Sequence, residues 1–148
     1  MIEIRRLSLE NLEEIKKLYR AIFTREPWND DWNDDAQLTL YITELIGNNN
    51  SLTFGLYDPE ELIGLSMGSV KHWYLCTEYN VAEFCIKTEK QGQGLGTVFL
   101  KRIESNIKEL GINAVFLQTE RTVPAYDFYK KNGFGELKNH VSMKKKLC

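Results

Sequence analysis

A chain of 148 residues has room for one core and for little else, so residues 1–148 read as a single domain. Hydrophobic residues at 43% beside charged residues at 27% exclude a disordered chain, and no apolar run approaches the roughly 20 residues of a membrane span. A net charge of -2, with basic residues scattered apart from Lys144, Lys145 and Lys146, excludes a broad face for nucleic acid.

Cys76, Cys85 and Cys148 show no C-x-x-C spacing, and His72 and His140 stand alone, so neither a disulfide framework nor a metal site is expected. The opening Met1-Ile2-Glu3-Ile4 lacks a basic-then-apolar leader, which makes a cytoplasmic protein the expectation.

In chain order, residues 2–6 alternate as a strand, and Ser8 then suits the N-cap of a helix over 9–23. That helix carries Leu12, Ile15, Leu18, Tyr19 and Ile22 at helical spacing. Residues 24–33 contain Pro27, Trp28, Trp32 and an Asn/Asp cluster, the composition of a loop. Asn33 or Asp34 caps a second helix through Ile46, stopped at Gly47.

Residues 51–57 and 61–73 form two strands joined by the turn at 58–60, most simply as an antiparallel hairpin. Residues 80–87 give a further strand, 95–110 a helix closed by Gly111, and 112–119 another strand. Strand, helix and strand in that order require a parallel crossover. Pro124 begins a short helix over 124–132, and Gly133-Phe134-Gly135 leads into a closing stretch in which the three lysines sit on a solvated edge strand. The fold class is α/β in the mixed α+β sense. A central, mostly antiparallel mixed sheet with one parallel crossover is flanked by about four helices.

Between the strand at 80–87 and the helix at 95–110 lies Gln91-Gly92-Gln93-Gly94-Leu95-Gly96. Glycines let an anion approach the backbone, and the positive end of a helix dipole favours its charge. A Walker A loop requires G-x-x-x-x-G-K-[ST] and a dinucleotide fold G-x-G-x-x-G. Counted from Gly92, the third glycine of the latter falls on Thr97, so neither motif is present.

Gln91, Gly94 and Gly96 satisfy Q/R-x-x-G-x-G/A, and Ala125-Tyr126-Asp127-Phe128-Tyr129 followed by Gly133-Phe134 satisfies A-x-x-x-Y with a later G-F. Together these resemble the two signatures of the GNAT family of N-acetyltransferases. The resemblance is one of motif over 83–134 and one of element order elsewhere, from the first strand to a closing hairpin. It departs where the family often has Asn and this chain has Thr122, which puts one hydrogen bond to the coenzyme arm in doubt.

The resemblance implies acetyl-CoA as co-substrate, no metal, and direct transfer to a primary amine in a ternary complex. Its coenzyme contacts would come from Phe84, Cys85 and Ile86 on a splayed strand, from Gln91, Gly92, Gln93, Gly94, Leu95, Gly96 and Thr97, and from Ala125 and Phe128. The Ile86 N–H would polarise the acetyl carbonyl. Tyr129 matches the family tyrosine beside the sulfur, where a phenol can protonate a thiolate leaving group; the alternative is a core tyrosine. A covalent role for Cys85 is disfavoured because no histidine partner is apparent.

Glu83 interrupts an apolar strand, and simple alternation places it on one face with Val81 and Cys85. It is a base, an anchor for a cationic amine, or a salt-bridged strand residue. Trp28 and Trp32, near Glu26, Asp30 and Asp31, either wall a pocket for a cationic acceptor or pin their loop to the core. The expected function is N-acetylation of a cationic small-molecule amine. The alternatives are a catalytically weak coenzyme-binding regulatory module and acetylation of a protein or peptide amine. The family's habit of pairing also allows a homodimer.

Overall fold

The computed structural model describes residues 1–148. Five strands, β1 (Glu3–Leu7), β2 (Ser51–Tyr57), β3 (Leu62–His72), β4 (Thr77–Ile86) and β5 (Ala114–Leu117), form one sheet in the order β1-β2-β3-β4-β5. Every neighbouring pair is antiparallel except β4 and β5, which run parallel across a crossover made by α3 (Leu95–Glu109). The remaining helices are α1 (Leu12–Phe23), α2 (Asp35–Ile46) and α4 (Pro124–Lys131). The mixed sheet, its parallel pair and its four helices are the architecture the sequence leads one to expect.

Local chemistry accounts for the helix ends. Ser8 caps a 3-10 turn over Leu9–Asn11 before α1: its hydroxyl accepts from the Glu10 N–H at 3.3 Å, and the Asn11 side chain takes the Ser8 N–H at 3.0 Å. Asp34 starts α2 by accepting the Gln37 N–H at 3.2 Å. Helix α1 buries Ile15, Leu18, Tyr19, Ile22 and Phe23, and α2 buries Leu38, Ile42 and Ile46, one stripe each.

The sheet separates two cores. On one face, α1 and α2 pack over Leu65, Met67 and Cys85; on the other, Phe99, Ile103 and Ile107 of α3 pack over Phe54, Ile63, Tyr79 and Ile86. Strand β4 begins three residues before 80. A short hairpin, with the Trp73 N–H donating to Cys76 O at 3.1 Å, sets His72 opposite Thr77, and Tyr79 is wholly buried with its hydroxyl on Leu52 O at 2.9 Å. Glu78 hides this start from a reading of hydrophobicity alone.

Contacts divide the chain into two compact units, 1–118 and 119–148. The first holds the sheet and α1 to α3. In the second, Gly133 at φ 93 turns the chain after α4 and lets the Phe134 N–H reach Tyr129 O at 3.0 Å, while Glu136 accepts from Arg121 at 2.9 Å and from Tyr126. Lys144, Lys145 and Lys146 are exposed in a stretch without strand, so the expected closing hairpin and its lysine edge are not formed. Three adjacent like charges favour a solvated chain over a paired one.

Candidate functional site

The loop before α3 is built from backbone geometry. Gly92 and Gly94 sit at φ 77 and 78, a region that disfavours side chains, and a Cβ on either would point into open space. Gly94 is the N-cap of α3 and supplies no side chain to it, and the first turn holds no acidic residue. The Val98 N–H donates to Gly94 O at 3.2 Å, so the N–H groups of Leu95, Gly96 and Thr97 precede the first intrahelical bond. Bare N–H groups, a helix dipole and positive-φ glycines fit a diphosphate.

Just upstream, β4 leaves its parallel partner. The pairing of β4 with β5 ends at Val81 opposite Leu117, whereas pairing with β3 continues to Ile86 opposite Gly64. The Lys87 N–H donates to Ile63 O at 2.7 Å, which makes Lys87 and Ile63 a hydrogen-bonded pair. Antiparallel alternation then makes Ile86–Gly64 and Phe84–Ser66 non-hydrogen-bonded pairs, with the N–H groups of Phe84 and Ile86 directed away from β3. The Gln91 side chain donates to Ile86 O at 3.0 Å and so ties the loop to this strand end.

Glu83 owes its direction to a β-bulge. Met67 pairs with Glu83 but Gly68 pairs with Val81, leaving Ala82 as the extra residue. Val81 therefore packs with the α3 core, while Glu83 and Cys85 face α1 and α2. The expectation that Val81 and Glu83 share a face fails for this reason. A carboxylate is thereby aimed into the layer between sheet and helices.

There Glu83 Oε2 accepts from the Tyr19 hydroxyl of α1 at 3.1 Å and from the Tyr41 hydroxyl of α2. Burial raises the Glu83 pKa, the two phenols lower it, and the charge of Asp30 raises it again. Both phenols are pushed up, first by burial and then by Glu83, so they stay neutral donors. Neither tyrosine stood out in the sequence. Tyr19 reads there as one more apolar position of an amphipathic helix.

Trp32 stacks on Tyr41 with ring centres 5.3 Å apart and meets Tyr19 edge-on at 5.6 Å; its indole N–H donates to Asp30 at 3.4 Å. Arg20 holds the Trp32 carbonyl at 3.0 Å. Trp28 is more exposed and reaches the group only through Phe23, at 5.5 Å. Asp31 caps its own loop by accepting the Asn33 N–H at 3.1 Å, so Asp30 is the loop carboxylate that bears on Glu83. The Cys85 thiol is held up by burial and by Glu83, which disfavours the thiolate a nucleophile needs.

A polar cleft of about 710 Å³ opens beside the bulge, lined by Glu44 and Asn48 near the end of α2, Ser69 of β3, Asn80 and Ala82 of β4, and Gln118. In the second unit, Tyr129 is half-buried on α4, with Phe128 at 5.3 Å and Phe134 at 5.4 Å between ring centres. Ala125 is half-buried on the same helix, and Thr122 is exposed ahead of it.

The model of the acetyltransferase (GNAT) family matches residues 12–134, most of the chain and both signatures. The chain belongs to the GNAT family. No curated protein matches it. Among solved structures, the GNAT chain resembles an aminoglycoside acetyltransferase, meta-AAC0020, from an uncultured soil metagenomic sample in complex with sisomicin. They share 20% identity at a TM-score of 0.77, covering 99% of this chain and 97% of that one. AAC(6')-Iy in complex with a bisubstrate analogue, CoA-S-monomethyl-acetylneamine, is similar at 16% identity and a TM-score of 0.74, covering 100% and 99%. A possible acetyltransferase from Clostridium difficile 630 reaches a TM-score of 0.81 at 15% identity, covering 100% and 99%. Likeness at these identities establishes that the GNAT fold is shared.

Proposed function

We propose that residues 1–148 act as one acetyl-CoA-dependent N-acetyltransferase domain that acetylates a primary amine on a cationic small molecule, by direct attack in a ternary complex. The observation that carries this reading is the Glu83 carboxylate, turned by a bulge toward the aromatic cluster of Tyr19, Tyr41 and Trp32, three residues from the strand-end N–H of Ile86. Aromatic faces and two carboxylates suit an ammonium group. The polar cleft beside the bulge suits a body rich in hydroxyl or amine groups. Aminoglycoside acetyltransferases among the similar structures agree with an acceptor of that kind.

Bound acetyl-CoA supplies the acyl group as a thioester. The backbone N–H groups of Gln91 to Thr97 hold the diphosphate, with the Gln91 side chain fixing the loop to Ile86 O. Phe84, Cys85 and Ile86 line the acetyl and pantetheine arm, with Ala125 and Phe128 as further contacts. The Ile86 N–H polarises the carbonyl oxygen as it gains charge. Glu83 removes a proton from the acceptor ammonium and frees the lone pair that attacks. Tyr129 gives a proton from its hydroxyl to the departing sulfur. Trp32, and more weakly Trp28, hold the cation.

Thiol release from acetyl-CoA, screened across polyamines, aminoglycosides, amino acids and peptides, tests the reading. Turnover with the first two classes is expected. Thermal stabilisation by ATP or NAD but not by CoA would overturn the coenzyme assignment, and turnover with peptides alone would overturn the acceptor.

A further inference from the structure

We infer that Tyr19 and Tyr41 are positioning residues for Glu83: they pin its carboxylate by Oε2 and leave Oε1 to take the proton of the acceptor amine. The inference rests on the acetyl-transfer reading above and adds to it the atom and the device that selects it. A glutamate has three side-chain torsions, and unpinned it would have to be ordered at each turnover. Here both hydroxyls converge on one oxygen from two different helices.

The tyrosines are themselves fixed. Tyr19 is 2% exposed, its ring lies 4.5 Å from Phe23 and 5.8 Å from Tyr41, and Tyr41 is stacked on Trp32. The groups facing Glu83 are Tyr19 from α1, Tyr41 from α2, Asp30 from the intervening loop and Cys85 along β4, with uncharged Met67 opposite on β3. Both phenols favour the charged carboxylate, whereas burial and Asp30 oppose it.

In the step, an N–H bond of the ammonium breaks and an O–H bond forms at Oε1. The freed nitrogen pair bonds to the acetyl carbon, and the C–S pair leaves with sulfur, which takes the Tyr129 hydroxyl proton. The second proton that the nitrogen sheds on becoming an amide passes through solvent to the Tyr129 phenolate. Glu83 afterwards returns its proton to water.

The test compares wild type with Tyr19→Phe, Tyr41→Phe and the double variant, which keep the rings and remove the hydroxyls. The Glu83 carboxyl is followed by carbon-13 NMR, its signal identified by its loss in Glu83→Gln, and kcat/KM for a polyamine is measured against pH. Without the phenols the Glu83 midpoint should rise by about one pH unit in the double variant, and by less in each single. The acidic limb of kcat/KM should rise with it, so that activity falls about tenfold at the foot of the limb and recovers toward wild type at high pH. Acetyl-CoA affinity should not change.

An unmoved midpoint, or a loss of kcat/KM equal at every pH, would mean that the tyrosines only pack, and the inference would fall. If the double variant does not fold, Tyr41→Phe alone decides by the same two readouts. A midpoint that moves in a protein inactive toward every amine would uphold the pinning and remove the acetyl-transfer reading instead.

Discussion

The loop at 91–97 and the pocket around Glu83 each prepare one side of the same proposed reaction, and they are built in opposite ways. The loop is a single local segment whose chemistry is almost all backbone: two glycines at positive φ, an uncapped helix end and one side chain, Gln91, tied to the neighbouring strand. The Glu83 pocket is almost all side chain and draws on residues 19, 30, 32, 41 and 83, from two helices, a loop and a strand. A site made of backbone tolerates change around it as long as its glycines remain. A site assembled from distant side chains can be retuned from any of its elements, which is how one fold keeps a donor and varies the acceptor.

Substitutions that touch one region and spare the other test that contrast. The largest effect is expected from Glu83→Gln: kcat/KM for the amine should fall about 100-fold, the magnitude of losing a general base, with the acidic limb abolished and the acetyl-CoA dissociation constant unchanged by calorimetry. A parallel loss of acetyl-CoA binding would show that the two regions are not separable. Next is Gly94→Val, which forces a β-branched residue to φ 78. It should weaken acetyl-CoA about tenfold by calorimetry and leave the pH dependence of the amine untouched.

Trp32→Ala should raise KM for a cationic amine about fivefold, on the order of 1 kcal/mol for a desolvated cation over an indole, whereas Trp28→Ala should stay within about twofold. Equal effects from the two tryptophans would place the acceptor elsewhere along the loop.

The smallest effect is on stability. A carboxyl raised in the folded state binds its proton more tightly there than in the unfolded chain. Its contribution is full below the ordinary value of 4.5 and is lost as pH rises through the raised folded value. Wild type should therefore lose stability across that window, and Glu83→Gln, which carries no charge there, should melt higher than wild type at neutral pH. A lower melting temperature for Glu83→Gln at neutral pH would show that the charge stabilises the pocket.

Much of the framework could be read along the chain because it rests on local rules. Asp34 caps α2, α3 begins at Leu95 after the glycines, and Pro124 opens α4, each where capping and turn chemistry place it. Glu83 stood out as a charge in an apolar strand. Its tyrosine partners did not, because a buried tyrosine at helical spacing looks like any other core residue until the group its hydroxyl meets is known. Alternation also put Val81 beside Glu83, since a bulge is a property of the pairing of two strands and leaves no mark on one of them. The closing stretch departs from expectation: an edge strand inferred from the lysine run and a hairpin implied by the family resemblance are absent, and Lys144, Lys145 and Lys146 lie in a stretch without strand.

Sequence by itself determined the order of elements as far as α4 and the glycine turn before α3, because glycine, proline and capping residues act within a few positions of where they stand. Tertiary structure alone decided which oxygen of Glu83 is held, by which phenols, and against which tryptophan. Those contacts join residues 42 and 64 positions apart, and only the packing of α1 and α2 on the sheet brings them together.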